Sequence, residues 1–395
     1  MTIDLQRARR ETPGCEYVLH FNNAGASLPP QPVLDATVAH LRLEAEIGGY
    51  EAEDRARDAV WNMYAATARM LGCTPDEIAF AQNATRAWDM AFYAIPFRPG
   101  DRILTGQAEY VSNYLSLLQV TRRTGATVEV IPNDERGQIS VEALRNAIDD
   151  RVKLIALTHV PTNSGLVNPA AAVGQVAREA GALYLLDACQ SAGQMPLDVK
   201  ALGCDVLSAT GRKFLRAPRG TGFLYVRREV VARLEPPFLD LVGADWVAPD
   251  RYELKPDARR FETFETSVAA KIGLGVAIDY ALSWGLDAIW ARIRALAGDL
   301  RARLAALPGV TVHDQGAERC GIVTFTAAGW EPAAIREKLA ARGINVMVSQ
   351  ARSALIDMEA RGLAELVRAS VHYYNSEDEI ERFCATLESI LLNHE

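Results

Sequence analysis

The middle of the chain alternates short apolar runs with helix-like segments, and that rhythm leaves few folds open. An apolar strand followed by an amphipathic helix, repeated several times, signals βα units around a mainly parallel sheet. The runs predict seven strands: Ile78 to Ala81, Arg102 to Thr105, Val128 to Ile131, Lys153 to His159, Leu183 to Asp187, Asp205 to Ala209 and Gly222 to Val226. Segments such as Val141 to Ile148 and Ala170 to Ala180 supply helices between them. The last two runs are joined by a loop without a helix, so the final strand can run antiparallel. After about Thr266 the pattern changes. A long helical stretch, Val268 to Leu307, precedes strand-like Val310 to His313 and Gly321 to Thr326, then a helix near Pro332 to Arg342. Strand-like Ile344 to Val348 and Val367 to His372 follow, with a last helix from Glu377. The reading is an α/β protein in three parts. Residues 1–30 join the small domain and the active site, 31–266 form a large, mainly parallel seven-stranded α/β domain, and 267–395 form a smaller α+β domain.

Composition narrows the partners. With 395 residues, 49% hydrophobic and 23% charged, the chain is long enough for two domains around a substantial core. A net charge of −8 gives no electrostatic basis for binding nucleic acid or an anionic membrane, so a small organic substrate is expected. Met1 to Arg10 lacks an apolar core, and no later run reaches bilayer-spanning length, so a cytoplasmic location is the expectation. The six cysteines are scattered with no CxxC pair, which reads as buried thiols and no metal site. His20, His40, His313, His372 and His394 are isolated and read as structural or surface residues.

Open α/β sheets bind ligands beyond the carboxyl ends of their strands. After the first run stands Gln82-Asn83-Ala84-Thr85, opening a helical-looking segment. Free N–H groups and the helix dipole there suit a phosphate, or Asn83 or Thr85 simply caps the helix. The fifth run ends in Asp187-Ala188-Cys189-Gln190. A carboxylate closing a buried strand needs a cation or hydrogen-bond donors. A protonated pyridine nitrogen would serve, and so would the N–H groups of the following turn. The sixth run leads into Thr210-Gly211-Arg212-Lys213 and then Arg216 and Arg219. Neighbouring cations or desolvation depress a lysine amine into a Schiff-base nucleophile, while a solvated basic loop is the plain alternative. Arg212 and Thr210 also suit a phosphate.

Taken together, a phosphate loop, an aromatic, a strand-end Asp and then a Lys resemble aspartate-aminotransferase-type enzymes of pyridoxal 5'-phosphate (PLP). From about His20 to the last helix the chain resembles the class V aminotransferase family: cysteine desulfurases, selenocysteine lyases, isopenicillin N epimerase-like enzymes and hercynylcysteine sulfoxide lyases. The resemblance implies fold type I, PLP bound to Lys213, an amino-acid substrate, and a homodimer with active sites at the subunit interface. It places Ala84 and Thr85 at the phosphate, and Tyr110, in Glu109-Tyr110, on the face of the cofactor ring. Within His159-Val160-Pro161-Thr162-Asn163-Ser164-Gly165 it sets Thr162 near the phenolic oxygen. Asp187 falls at the pyridine nitrogen and Gln190 at the phenolic oxygen. In Phe21-Asn22-Asn23-Ala24-Gly25, Asn23 would touch the substrate carboxylate. In Arg368-Ala369-Ser370-Val371-His372-Tyr373-Tyr374-Asn375, Arg368 would clamp it, unless it pairs with Glu365.

Departures from the pattern select the reaction. Desulfurases need a mobile cysteine upstream of that arginine, and Asn345 to Ser353 contains none. Arg212 stands where desulfurases carry histidine; it resembles the sulfoxide-lyase branch, as does the following Leu215 to Gly222. The family's intersubunit Gly-Thr falls on Phe264-Glu265, with Thr266 a possible substitute at the phosphate. Tyr50, Trp88, Tyr110 and Arg352 are candidates for the side-chain pocket. The expectation is a carbon–sulfur β-lyase on a cysteine S-conjugate or sulfoxide, releasing pyruvate and ammonia. Transamination and epimerisation are the alternatives, and a catalytically idle PLP-fold scaffold is the reading outside enzymology.

Overall fold

The computed structural model describes residues 3–392, so His394 lies outside the described residues. Seven strands build the central sheet: β1 (Ile78–Ala81), β2 (Arg102–Gly106), β3 (Thr127–Ile131), β4 (Val152–Thr158), β5 (Leu183–Asp187), β6 (Val206–Thr210) and β7 (Gly222–Val226). Their spatial order is β1-β7-β6-β5-β4-β2-β3. Only β7 runs antiparallel to its neighbours β1 and β6, while the other pairs are parallel. The link between β6 and β7 carries no helix, and a parallel return would need a crossover of a dozen or more residues. All of β1, β5, β6 and β7 is buried, as unbroken apolar runs require when helices cover both faces. Edge strand β3 instead leaves Thr127 and Glu129 exposed.

The helices that matter below are α1 (Gln31–Ile47), α2 (Arg57–Leu71), α3 (Ala84–Phe92), α4 (Val111–Thr124), α5 (Val141–Ala147), α6 (Ala170–Ala180), α7 (Val268–Trp284), α8 (Leu286–Ala306), α9 (Pro332–Ala340) and α10 (Glu377–Leu392). The stretch read as one long helix is two. Gly285, at φ +81°, ends α7, and the chain turns through 78° into α8. A glycine adopts that backbone without a Cβ clash, so apolar periodicity continues across a break in the axis. Helix α7 is buried over most of its circumference and packs against α1 and α2. Among the described residues no single helix is long and apolar enough to cross a membrane.

A second, antiparallel sheet comprises β8 (Val310–Val312), β9 (Ile322–Ala327), β10 (Met347–Gln350) and β11 (Glu365–Ser370), in the order β8-β9-β11-β10. Helices α8 and α9 pack on this sheet, and α10 packs on those two helices. The run Ile344 to Val348 serves two sheets: Ile344–Asn345 pair in parallel with Leu19–His20, and Met347 onward joins β11. An apolar pattern reports burial and not partner, so the switch at Val346 was invisible in it. The N-terminal segment is thereby stitched to β11, with Ser370 N donating to Phe21 O at 2.7 Å.

Candidate active site

The residues that follow β1, β2, β4, β5 and β6 meet in one recess of about 120 Å³. Strand register brings them there, because Thr158 pairs with Asp187 and Asp187 with Ser208. Of the expected cofactor contacts, Ala84, Thr85, Tyr110, Thr162, Asp187, Gln190, Thr210, Arg212 and Lys213 line the recess. Thr266 does not. It lies with Tyr50 on a separate cleft between α1, α7 and the 263–267 loop.

At one end of the recess stands the first turn of α3. Asn83 caps it, its side chain accepting from Arg86 N at 2.8 Å. Capping therefore accounts for Asn83 and leaves the N–H groups of Ala84 and Thr85 without acceptors inside the helix. Gly222 abuts this turn so closely that a Cβ would come within 3.2 Å of Ala84 N and 2.6 Å of Ala209 O. Arg212 lies opposite and donates to Gly25 O, with burial lowering its pKa.

Asp187 and Lys213 both line the recess. Asp187 is buried; its Oδ1 accepts from Cys189 N and its Oδ2 from Asn113 Nδ2, each at 2.8 Å. The turn-capping alternative thus holds for one oxygen. No cation lies within ion-pair distance of Asp187 among the described residues. Asn113, on α4, was not singled out from sequence, and its second amide hydrogen goes to Glu109 Oε1 at 2.9 Å. Glu109 is itself buried, accepting also from Tyr110 N and from Thr158 N and Oγ1; burial raises its pKa, and the charge of Asp187 adds to the effect. The i, i+4 spacing of Glu109 and Asn113 at a helix start was the signal available. Lys213 is half-buried on the wall of the recess, with no hydrogen-bond or ion-pair partner among the described residues. Burial lowers its pKa; Arg212 and Arg368 lower it further, against Cys189 and Asp187. Desolvation and neighbouring cations are the two influences that activate a lysine as a Schiff-base nucleophile.

Arg368, buried on β11, is not itself part of the lining and reaches the recess through Thr162, which is. It donates to Thr162 Oγ1, while its Nε has no partner. The ion pair with Glu365 is not formed, since Glu365 accepts from Gln350 Nε2 at 3.0 Å. Burial, then the nearby Arg212, hold the Arg368 guanidinium down at about 10. Asn23 does not reach the recess: Nδ2 donates to Ser370 O at 2.7 Å and Oδ1 accepts from Tyr374 Oη at 2.5 Å. Gln190 Nε2 donates to Ala24 O at 3.1 Å, so the atom it leaves unpartnered is Oε1, an acceptor. Arg352 is exposed on the Ala351–Ser353 turn, outside the lining, and that turn is tied inward by Asn163 Nδ2 to Ser353 Oγ at 3.0 Å. Trp88 is buried in the core with Nε1 on Ser116 Oγ at 3.1 Å, because a helix-face aromatic packs inward. Of the isolated histidines, His372 is buried close to the site, its Nε2 on Phe214 O at 2.9 Å.

These groups fit PLP one by one. Ala84, Thr85 and Arg212 present donors for a phosphate, while the Thr210 hydroxyl donates to Thr221 O at 3.3 Å, and Asp187 has the unmet need of a cationic N–H. Tyr110 and Cys189 form walls for a ring, and Lys213 offers an amine whose pKa burial lowers. A fold type I sheet with this site defines a PLP-dependent enzyme. The comparisons agree, for the family model described as aminotransferase class-V matches residues 19–383, and the chain belongs to that family. A probable cysteine desulfurase of Methanothermobacter thermautotrophicus is 30% identical over 388 residues, 97% of each chain. Another, of Halalkalibacterium halodurans, is 31% identical over 316 residues, 79% of this chain and 77% of its own. The apo structure of a cysteine desulfurase from Thermococcus onnurineus NA1 superposes with a TM-score of 0.91 at 28% identity over 99% of both chains. The cystine C-S lyase C-DES, solved with its product cysteine persulfide, shares the fold at a TM-score of 0.86 and 24% identity, over 95% of this chain and 99% of its own.

Proposed function

We propose that this enzyme is a carbon–sulfur β-lyase that acts on a cysteine S-conjugate or sulfoxide and releases pyruvate and ammonia. One observation carries the choice within the family: the turn ahead of Arg368, where a desulfurase would place its sulfur-accepting cysteine, presents Arg352 and Ser353. The thiol that does line the recess, Cys189, follows Asp187 by two residues, and burial keeps it protonated, with a pKa well above the ordinary range. A protonated, wall-forming thiol is a poor sulfur acceptor.

When bound, PLP supplies an electron sink for the pair left on Cα once a proton departs. The residues do the rest. Arg368 holds the substrate carboxylate, since among the described residues its Nε has no partner and its guanidinium pairs with no carboxylate. Lys213 takes the α-proton, which its lowered pKa permits. Asp187, held by Asn113 and Cys189 N, keeps the ring nitrogen protonated. The Cβ–S bond then breaks with its electron pair going to sulfur, and the released enamine takes up water to give pyruvate and ammonia.

The test is direct. The purified protein is incubated with S-substituted cysteine sulfoxides, and separately with amino donors and 2-oxo acids. Pyruvate formed without an acceptor supports the lyase, and conversion of the cofactor to its amine form with no pyruvate overturns it. We also propose a homodimer with active sites at the subunit interface. In its support, Tyr50 and Phe264 form an exposed aromatic pair, ring centroids 6.5 Å apart, on the cleft that holds Thr266. Sedimentation of a single monomeric species at micromolar concentration would exclude it.

A further inference from the structure

Arg216 carries two costs that a sequence does not keep without cause. Among the described residues it is the one non-glycine at positive φ, +62°, a conformation that strains any residue with a Cβ. It is also 2% exposed, with no carboxylate within ion-pair distance among the described residues, so a permanent cation is buried without a counter-charge. A glycine would remove both costs. What the arginine adds is a set of contacts that no shorter side chain could make. Nε donates to Leu28 O at 2.8 Å, Nη1 to Tyr373 Oη at 2.6 Å and Nη2 to Thr12 Oγ1 at 2.6 Å. The guanidinium also lies 4.4 Å from the ring centre of Tyr374, 5.3 Å from that of Tyr373 and 5.9 Å from that of Tyr280. Ring faces supply the negative potential that a carboxylate otherwise would.

The backbone shows what these contacts hold. Arg216 N donates to Lys213 O at 2.9 Å, closing a tight turn that begins on the lysine. Phe214, inside that turn, is gripped separately, its carbonyl accepting from His372 Nε2 at 2.9 Å. Tyr373 N donates to His372 Nδ1 at 2.8 Å, which fixes the tautomer so that Nε2 carries the hydrogen. His372 and Tyr373 directly follow β11, the strand that bears Arg368. The lysine turn is therefore fastened twice to the segment just past the strand that holds the substrate-binding guanidinium, and once each to Thr12 and Leu28 of the N-terminal segment. Strain of this kind persists where the surroundings over-determine it, and such places cluster at functional sites.

We infer that Arg216 is a positioning residue: through Tyr373, with His372 acting in parallel, it sets the Lys213 amine at a fixed distance from Arg368 and from the cofactor. The inference rests on the reading that Lys213 bonds the cofactor. It is independent of whether the reaction is elimination or transamination, because both need the same amine placed against the same carboxylate.

The experiment uses the holoenzyme and two readouts besides turnover: the pH titration of the Lys213-dependent visible band, and the rate of cofactor release after dilution. Arg216→Gly relieves the backbone strain and deletes the contacts. It should shift the titration midpoint by about one pH unit and speed release by roughly tenfold or more. Tyr373→Phe deletes one hydroxyl and leaves the packing, so it keeps the test valid even if the glycine variant folds poorly. It should move both readouts in the same direction, by about threefold in release. A lower melting temperature with an unchanged titration and release rate in both variants would show a purely structural role and overturn the inference. A wild-type protein without a Lys213-dependent band would overturn it together with the cofactor reading, whereas a normal wild-type band with silent variants would overturn the positioning role alone.

Discussion

Arg368 shows how a single residue divides binding from chemistry. Its guanidinium is buried, donates to Thr162 and pairs with no carboxylate among the described residues, and on the proposed reading its free Nε meets the substrate carboxylate. A planar fork binds a carboxylate through two N–H groups, and a lysine cannot reproduce that geometry. Arg368→Lys is expected to raise KM for the amino acid by roughly 30- to 100-fold, corresponding to about 2–3 kcal/mol. The visible band of the Lys213-bound cofactor should stay as it is. An unchanged KM would remove Arg368 from the carboxylate site. At this scale Asp187, Lys213 and Arg368 were legible because each stands at a strand end or in a segment with a distinct local pattern. Asn113 was not, because its i, i+4 spacing from Glu109 reports only half of the bridge, and the other half, to Asp187, joins residues far apart in the chain. Asn23 failed to reach the recess for the same reason in reverse: Ser370 and Tyr374 occupy its amide. Asn113→Ala should leave the buried Glu109 and Asp187 carboxylates each one donor short, costing roughly 1–3 kcal/mol in unfolding free energy. It should also shift the pH titration of the bound cofactor; a variant as stable as the parent with an unaltered titration would refute the bridging role.

Among the elements, the contact between α3 and β7 is the most exacting. The first turn of α3 supplies the N–H groups of Ala84 and Thr85, and Gly222 at the start of β7 lets that turn approach the sheet. An added Cβ would meet backbone, 2.6 Å from Ala209 O and 3.0 Å from Asn83 C, and backbone cannot rotate away as a flexible side chain can. Gly222→Ala should therefore push α3 outward, destabilise the protein by about 1–3 kcal/mol, and weaken cofactor binding more than that loss of stability explains. Equal cofactor affinity in the variant, measured by equilibrium dialysis, would contradict this geometry. The seven strands were legible because both faces of the sheet are covered, so each strand reads as an apolar run with polar residues only at its ends. The break at Gly285 was not legible, since apolar residues flank it on both sides and the pattern carries straight through.

For the molecule as a whole, acid should act through His159. It is buried between Thr158 and Val160, its Nδ1 has no partner, and burial lowers its pKa from 6.5 to about 4. The folded protein thus binds a proton less readily than the unfolded chain does. Where the unfolded state holds more protons, stability rises with pH, so the contribution is complete above pH 6.5 and is lost as pH falls toward 4. At about 1.4 kcal/mol per pH unit the loss amounts to about 3 kcal/mol across that window. Glu109 acts in the opposite sense, because its raised pKa makes the folded state the better proton acceptor. The two are separated by comparing the protein with its His159→Gln variant, in which Glu109 still titrates and His159 does not. The difference in unfolding free energy between them should be flat from pH 8 to 7 and then change by about 3 kcal/mol in the variant's favour by pH 4. Denaturant unfolding at a series of pH values measures it directly. A difference that does not vary with pH would mean that His159 is as easily protonated in the folded protein as in the unfolded chain, and would place its ring in contact with water.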